Sequence, residues 1–169
     1  MIDFTLMPIE ELLPHSPPMV LIHRIVKCGD DDLVAEVDID TSSMFYDFTL
    51  EGVPTWAGIE YIAQSIAALG GIRAKRKDEA VRMGFLLGTR RFHTHQATMK
   101  IGQCYQVSVN RVVRDGSGLA SFDGCISQQQ ELICEARVNV FEGLCGCLGL
   151  GANRFHIGRC EERLPREVG

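Results

Sequence analysis

The stretch PTWAGIEYIAQSIAALGGIRAKRK, residues 54–77, decides the fold, because it is a long helix-like segment in a chain of strand-like segments. At 100° per residue, residues 56–72 are apolar or small on every side, and Glu60 is their only charged residue. A helix with this pattern is buried. Basic residues at its end suit the negative pole of the helix dipole. We therefore predict a long helix that the rest of the chain encloses.

Strand-like patterns flank this helix on both sides. Before it, residues 19–27 are β-branched and apolar, and residues 33–39 alternate between apolar and polar after a Gly-Asp-Asp turn. After it, four more stretches have period two, namely residues 83–95, 103–114, 119–130 and 131–141. One helix amid six antiparallel strands predicts an α+β fold in which the helix lies across one face of the sheet.

Three further segments complete the chain. Residues 8–14, PIEELLP, predict a short helix, because Pro8 suits a first turn, acids follow it and Pro14 ends it. Residues 40–53 have no period and are predicted to form a loop. Residues 143–169 are rich in glycine and also lack a period, so we expect a tail or a packed extension beyond a domain of residues 1–142.

The composition is that of an ordinary globular domain. The 169 residues are 46% hydrophobic and 23% charged, and the net charge is −5. This acidic balance argues against nucleic acid or an anionic membrane as a partner. No apolar run reaches the roughly 18–20 residues that span a bilayer, and the N-terminal stretch carries acids where a signal peptide carries basic residues. We therefore expect a cytoplasmic protein without a membrane span.

The seven cysteines fall into two groups. Four occur singly in apolar segments and are predicted to be small buried hydrophobic residues: Cys28, Cys104, Cys125 and Cys134. The other three lie near a histidine in the C-terminal segment, as Cys145, Cys147, His156 and Cys160. Their spacing matches no closed four-ligand zinc pattern, so we expect neither a metal nor another cofactor.

Glu60 is the candidate functional residue of the helix. Burying a carboxylate costs several kcal/mol unless another group pairs with it. Its neighbours on the same helix face are mostly small and leave volume beside it: Ala57, Ala63, Gln64, Ala67 and Gly71. Gln64, at position i+4, is expected to hydrogen-bond the carboxylate. Two interpretations remain open, a site for a ligand or a structural acid paired with an arginine or with loop amides.

The histidines give weaker signals. His15 stands between prolines, so its backbone is stiff, and it either caps backbone groups or takes part in chemistry. We expect His23, His93 and His95 to be surface or satisfied core residues.

The stretches LLPHSPPMVLIHRIV and VPTWAGIEYIAQSIAALGG, in this order, resemble the hot-dog-fold β-hydroxyacyl-acyl carrier protein dehydratases. Within them, the chain is most similar to a diverged subgroup associated with aryl polyene lipid biosynthesis. The likeness covers about residues 6–142 and includes GFLLGTRRF. It implies a hot-dog fold, an antiparallel sheet wrapped around one long central helix. Pro54, Glu60, Ala63 and Gln64 match the family's helix motif, and Glu60 takes the position of the catalytic acid.

Two departures from the family pattern concern the site itself. The family carries its catalytic histidine in a Gly-His-Phe-Pro element 14 residues before the acid, where this chain has Tyr46. The family's glycine, whose amide faces the thioester carbonyl, aligns with Thr55. The resemblance implies substrate contacts from residues at the start of the helix and beside the acid: Pro54, Thr55, Trp56 and Gln64. Glu60 would act as the acid, with His15 or a partner subunit supplying the base.

The resemblance implies a dehydratase-like protein that acts on 3-hydroxyacyl thioesters of acyl carrier protein or coenzyme A. Two alternatives remain: a non-catalytic hot-dog subunit that pairs with an active dehydratase, and a thioesterase in which Glu60 activates water. Exposed sheet edges predict a dimer, either a homodimer or a heterodimer with a second hot-dog protein. A basic cluster either docks an acidic carrier protein or only caps the helix: Arg73, Lys75, Arg76, Lys77, Arg90 and Arg91.

Overall fold

Residues 3–81 and 84–142 are described by the computed structural model of the chain. Their strands are β1 (Arg24–Cys28), β2 (Asp32–Asp38), β3 (Gly52–Pro54), β4 (Gly84–Thr94), β5 (Thr98–Lys100), β6 (Cys104–Arg114), β7 (Leu119–Gln128) and β8 (Glu131–Glu142). The long helix α1 spans Gly58–Arg76, and 3-10 turns cover Phe4–Leu6, Ile9–Glu11 and Thr55–Ala57. The predicted C-terminal extension and its cysteines lie outside the described residues.

Six of the eight strands form one antiparallel sheet in the order β1-β2-β6-β7-β8-β4. β1 and β4 are therefore its two edges. The short strands β3 and β5 pair in a second, two-stranded sheet. This arrangement confirms the α+β prediction of six strands and one long helix.

Helix α1 packs across β2, β6 and β7. Alternate residues of these strands point at the helix and are fully buried, as Leu33, Val107 and Phe122 show. The helix approaches the sheet closely at Gly124, where an added Cβ would lie 2.4 Å from Cγ2 of Ile62. The main core of the described residues therefore lies between the helix and one face of the sheet. No helix in this part of the chain is long and apolar enough to cross a bilayer.

Three predictions of local structure were wrong. The expected helix at residues 8–14 is only a 3-10 turn, and Pro8 precedes that turn instead of lying within it. The expected loop 40–53 ends in strand β3, because residues 52–54 pair with β5. Trp56 lies in a 3-10 turn before α1 and is 59% exposed, so the helix region is not buried on every side.

The prediction of four buried cysteines was correct only for Cys134. Cys104 is exposed, and Cys28 and Cys125 are half-buried. The reason is strand alternation, since Cys104 and Cys125 each lie next to inward-facing residues and so face outward themselves. Their apolar neighbours in sequence belong to the opposite face of the sheet.

Candidate functional site

One side of helix α1 is buried and the other is partly open. Tyr61, Ile62 and Leu69 are at most 2% exposed. Partly exposed positions recur every three or four residues and form a stripe along the helix: Ile59, Glu60, Ala63, Ala67 and Gly70. The small side chains of this stripe leave the Glu60 carboxylate accessible. The helix packs less on the edge strand β4 than on β2, β6 and β7, so the sheet does not enclose it completely.

Gln64 fixes the geometry around Glu60. Its Nε2 donates a hydrogen bond to Oε1 of Glu60 at 3.2 Å and another to the carbonyl of Met19 at 2.7 Å. Its Oε1 accepts a hydrogen bond from the amide of Leu21 at 2.8 Å. The side chain of Gln64 is fully buried, so these three bonds join the N-terminal segment, the helix and the acid. The predicted Glu60–Gln64 hydrogen bond is thus present.

Pro54 and Thr55 connect strand β3 to the 3-10 turn that precedes α1. The amide of Thr55 donates to the carbonyl of Ala97 at 3.0 Å and is therefore engaged within the chain. The Thr55 hydroxyl is buried and has no hydrogen-bond partner among the described residues. The position that aligns with the family's glycine therefore offers a different set of donors from the one the resemblance implies.

Aromatic residues cluster beside this end of the helix. The rings of Phe45 and Trp56 meet edge-on with centroids 5.5 Å apart, and those of Tyr46 and Phe48 do so at 5.0 Å. Trp56 and Phe48 are 59% and 76% exposed. This end of the helix therefore presents two exposed aromatic side chains.

The segments before and after His15 contact helix α1 at positions that follow Glu60. The backbone before it contacts the helix at Gly71, where an added Cβ would lie 2.0 Å from the carbonyl oxygen of Leu12, and the backbone after it is bonded to Gln64. At 1.5 Å per residue, these anchors lie about 16 Å and about 6 Å along the axis from Glu60. Nδ1 of His15 is buried and has no hydrogen-bond partner among the described residues. No hydrogen bond within this part of the chain joins His15 to Glu60.

A family model described as ApeP dehydratase matches residues 7–144. The chain belongs to the ApeP-like dehydratase family. Among solved structures, it is similar to the dehydratase heterocomplex ApeI:P from Xenorhabdus doucetiae, with 26% identity and a TM-score of 0.76 over 82% of this chain and 93% of that one. The hot-dog fold that the resemblance implied is confirmed.

Two further similar proteins extend the comparison. A 3-hydroxyacyl-[acyl-carrier-protein] dehydratase FabZ from Streptococcus equi subsp. zooepidemicus is 31% identical over 71 residues, 42% of this chain and 50% of that protein. The chain thus spans about half the length of the curated relatives it matches. A hypothetical thioesterase with coenzyme A from Streptococcus pneumoniae is 16% identical with a TM-score of 0.54, over 70% of this chain and 83% of that one. This last likeness shows the fold alone.

The basic residues in the last turn of α1 form ion pairs with other residues of this ApeP-like chain. Arg73 forms an ion pair with Asp31 at 2.7 Å, and Arg76 forms one with Asp30 at 3.0 Å. Lys75 pairs with Glu11 at 3.1 Å. These bonds attach the end of α1 to the β1–β2 turn and to the N-terminal segment.

Arg90 and Arg91 form a separate group on the outer face of β4. Arg73 forms an ion pair with Glu142 at the end of β8. In the pairing of β4 with β8, Glu142 is opposite Gly84, whereas Arg91 is opposite Arg137. Five residues of strand separate Arg137 from Glu142, which corresponds to about 17 Å. The structure therefore divides the predicted basic cluster into two.

A small cavity that the sequence did not predict lies over Tyr61. It has a volume of about 120 Å³ and is lined by residues of the N-terminal segment, β2 and the 40–44 loop. Burial raises the pKa of the Tyr61 phenol to about 12, so the phenol is neutral at physiological pH. The lining residues come from segments that are distant in sequence, and the 40–44 loop among them has no periodic sequence signal.

Proposed function

We propose that the chain is one subunit of a heterodimeric 3-hydroxyacyl thioester dehydratase and that Glu60 supplies the acid to a site completed by its partner. The carrying observation is the Glu60 carboxylate on the open stripe of α1, oriented by the buried Gln64. Tyr46 supports the need for a partner, because it stands where the family carries its histidine.

The reaction then divides between two subunits. A base of the partner removes the proton α to the thioester carbonyl, and the C–H electron pair forms the new double bond. The bond from the β-carbon to the hydroxyl breaks, and protonated Glu60 gives its proton to the departing oxygen, which leaves as water. The products are an enoyl thioester and water, with the partner's base protonated and Glu60 ionised. Proton exchange with solvent restores both groups.

The open side of the fold supports pairing with another hot-dog protein. The edge strand β4 is 11 residues long, and its Phe85, Leu86 and Leu87 are 45–57% exposed. A similar protein of known structure is described as part of a dehydratase heterocomplex, ApeI:P. A partner seated against β4 and the open stripe of α1 would cover this surface and meet Glu60.

The acyl chain would arrive on an acidic carrier protein. Lys77, exposed after the last helical residue, is the best candidate for the first contact, since Arg73 and Arg76 already bind carboxylates of the chain. Arg90 and Arg91 form the second group of basic residues, on β4, away from the end of α1. The carrier interaction would weaken as salt screens these charges.

The test compares Glu60→Gln with wild type, each mixed with a hot-dog dehydratase that contains the Gly-His-Phe-Pro element, on a 3-hydroxyacyl-carrier thioester. Enoyl product should form about 10²–10⁴ times more slowly with Glu60→Gln. Glu131→Gln, an exposed position at the start of β8, is the matched control and should keep full activity. Unchanged turnover with Glu60→Gln would refute a catalytic contribution and leave a non-catalytic subunit. Release of free thiol from the thioester would instead indicate a thioesterase.

A further inference from the structure

We propose that Arg90 and Arg91 select the partner of strand β4, favouring an edge strand that carries carboxylates over a second copy of this chain. The inference rests on the proposed heterodimer and specifies the chemistry of its interface. It concerns assembly and not the chemical step, so the two proposals have separate tests.

The two edges of the sheet differ in a way that points to β4. Strand β1 is short, with five residues, and its Arg24 and Lys27 form ion pairs with carboxylates of β2. Short, charged edges of this kind discourage further pairing. Strand β4 has 11 residues and exposes apolar side chains at its start. β4 is therefore the edge on which another strand can pair.

The arginines of the described residues show an uneven pattern of ion pairs. Six of the eight have a carboxylate within 4 Å: Arg24, Arg73, Arg76, Arg111, Arg114 and Arg137. Within the same residues, the other two form no ion pair, and both lie on β4: Arg90 and Arg91. Unpaired guanidinium groups thus concentrate on the free edge.

The neighbouring strand increases this positive charge. Arg91 stands directly opposite Arg137 of β8, and like charges in such a cross-strand pair repel. Asp123 already binds Arg137 through two hydrogen bonds of 2.7 Å, and this contact holds the pKa of Asp123 below its usual range. Both carboxylate oxygens of Asp123 are therefore bound to Arg137, and Arg91 acts on Asp123 only through its charge, without an ion pair of its own among the described residues.

A groove of about 700 Å³ crosses the outer face of the sheet beside this edge. Its lining includes Arg90, Arg91, Arg137, Asp123 and Glu135. Arg90 lies where the pairing of β4 with β8 shifts register, so it is the extra residue of a β-bulge. The groove leaves space for acidic side chains of a paired strand to reach both arginines.

Self-pairing of β4 would place the same charges near one another. In any two-fold antiparallel register that keeps at least about nine residues paired, Arg90 and its counterpart lie zero to four residues apart along the ladder. At 3.4 Å per residue, this separation along the strand is at most about 14 Å. In the centred registers it is shorter than the Debye length of about 8–10 Å at physiological salt, so the repulsion is only partly screened. A second copy therefore meets repulsion, whereas a strand with carboxylates at these positions meets attraction.

The experiment uses the chain itself as the probe. Full-length wild-type protein, labelled with ¹⁵N, is mixed with unlabelled R90E/R91E, and dimers are counted by native mass spectrometry at low and high ammonium acetate. K27E/K77E is the matched control, because it changes the net charge equally at exposed positions away from β4. R90Q/R91Q removes the charges without reversing them and tests self-pairing directly.

At low salt, the ratio of the mixed dimer (wild type with R90E/R91E) to the two self-dimers together should exceed its statistical value of one by several-fold. The excess should fall as salt increases, and R90Q/R91Q should form self-dimers more readily than wild type. In the control mixture, this ratio should stay near one. A statistical mixture for R90E/R91E, or no mixed dimer at micromolar concentration with both proteins folded by circular dichroism, would overturn the inference. Neither result would alter the outcome expected for Glu60→Gln.

Discussion

Replacing Gln64 by methionine should destabilise the protein by about 2–4 kcal/mol. Methionine has a similar length but cannot replace the hydrogen bonds of the amide. The change leaves the buried amide of Leu21 and the part-buried carbonyl of Met19 without their partners. A buried group left without a hydrogen-bond partner lowers the free energy of unfolding by about 1–3 kcal/mol. The value for the Met19 carbonyl lies at the lower end of this range, because water partly reaches it. The bond to Glu60 is longer and adds less.

The assay is thermal and urea unfolding of the purified chain. For a protein of this size, 2–4 kcal/mol corresponds to a decrease in Tm of roughly 4–16 °C. Gln106→Met is the control, because Gln106 is exposed and makes a single 3.3 Å hydrogen bond with Glu36. It should change stability by no more than about 0.5 kcal/mol. A loss below about 1 kcal/mol for Gln64→Met would refute the argument that Gln64 fastens the N-terminal segment to the helix.

Three further predictions follow from single contacts. Gly71→Ala should lower the free energy of unfolding by about 1–3 kcal/mol, because the new Cβ would lie 2.0 Å from the carbonyl oxygen of Leu12. Gly70→Ala, with no atom within 4 Å of the new Cβ, should raise the free energy of unfolding by about 0.5–1 kcal/mol. Equal unfolding midpoints for the two variants would contradict this reasoning. Desolvation and Asp38 raise the pKa of the Cys104 thiol to about 11. Because the thiolate is the reactive form, Cys104 should be alkylated roughly 10²-fold more slowly than a free cysteine at pH 8. The rate should increase about tenfold for each pH unit above 8, as measured by alkylation followed by peptide mass spectrometry. Lys77→Glu should weaken carrier-protein binding at low salt while Lys27→Glu does not, and equal effects would exclude Lys77 as a docking residue.

The periodicity of the sequence predicted the long elements because burial on one face leaves a clear pattern. Residues 33–39 alternate in sequence and alternate between buried and half-buried in β2. The short strands were missed, since the three residues Gly52–Pro54 are too few for a pattern and their partner strand lies more than 40 residues away. Trp56 was placed in the core because a helical average cannot detect a 3-10 turn that directs one ring outward.

The candidate site could be predicted only as far as local spacing reaches. Glu60 and Gln64 are one helical turn apart, so their hydrogen bond follows from sequence. The anchoring of Gln64 by Met19 and Leu21 depends on chain segments 43–45 residues away, and no local pattern encodes it. The ion pairs of Arg73 and Arg76 with the β1–β2 turn are likewise products of tertiary packing.

The unpaired edge of β4 also affects the chain before it meets a partner. Eleven residues of exposed backbone beside Phe85, Leu86 and Leu87 form a template on which other partly folded chains can add strands, the first step of aggregation. In the proposed heterodimer, a subunit without its partner is therefore prone to aggregate, and its concentration must follow that of the partner. Synthesis of the two subunits in matched amounts would limit the lifetime of the free edge, and overproduction of this chain alone should yield inclusion bodies that a co-produced partner prevents.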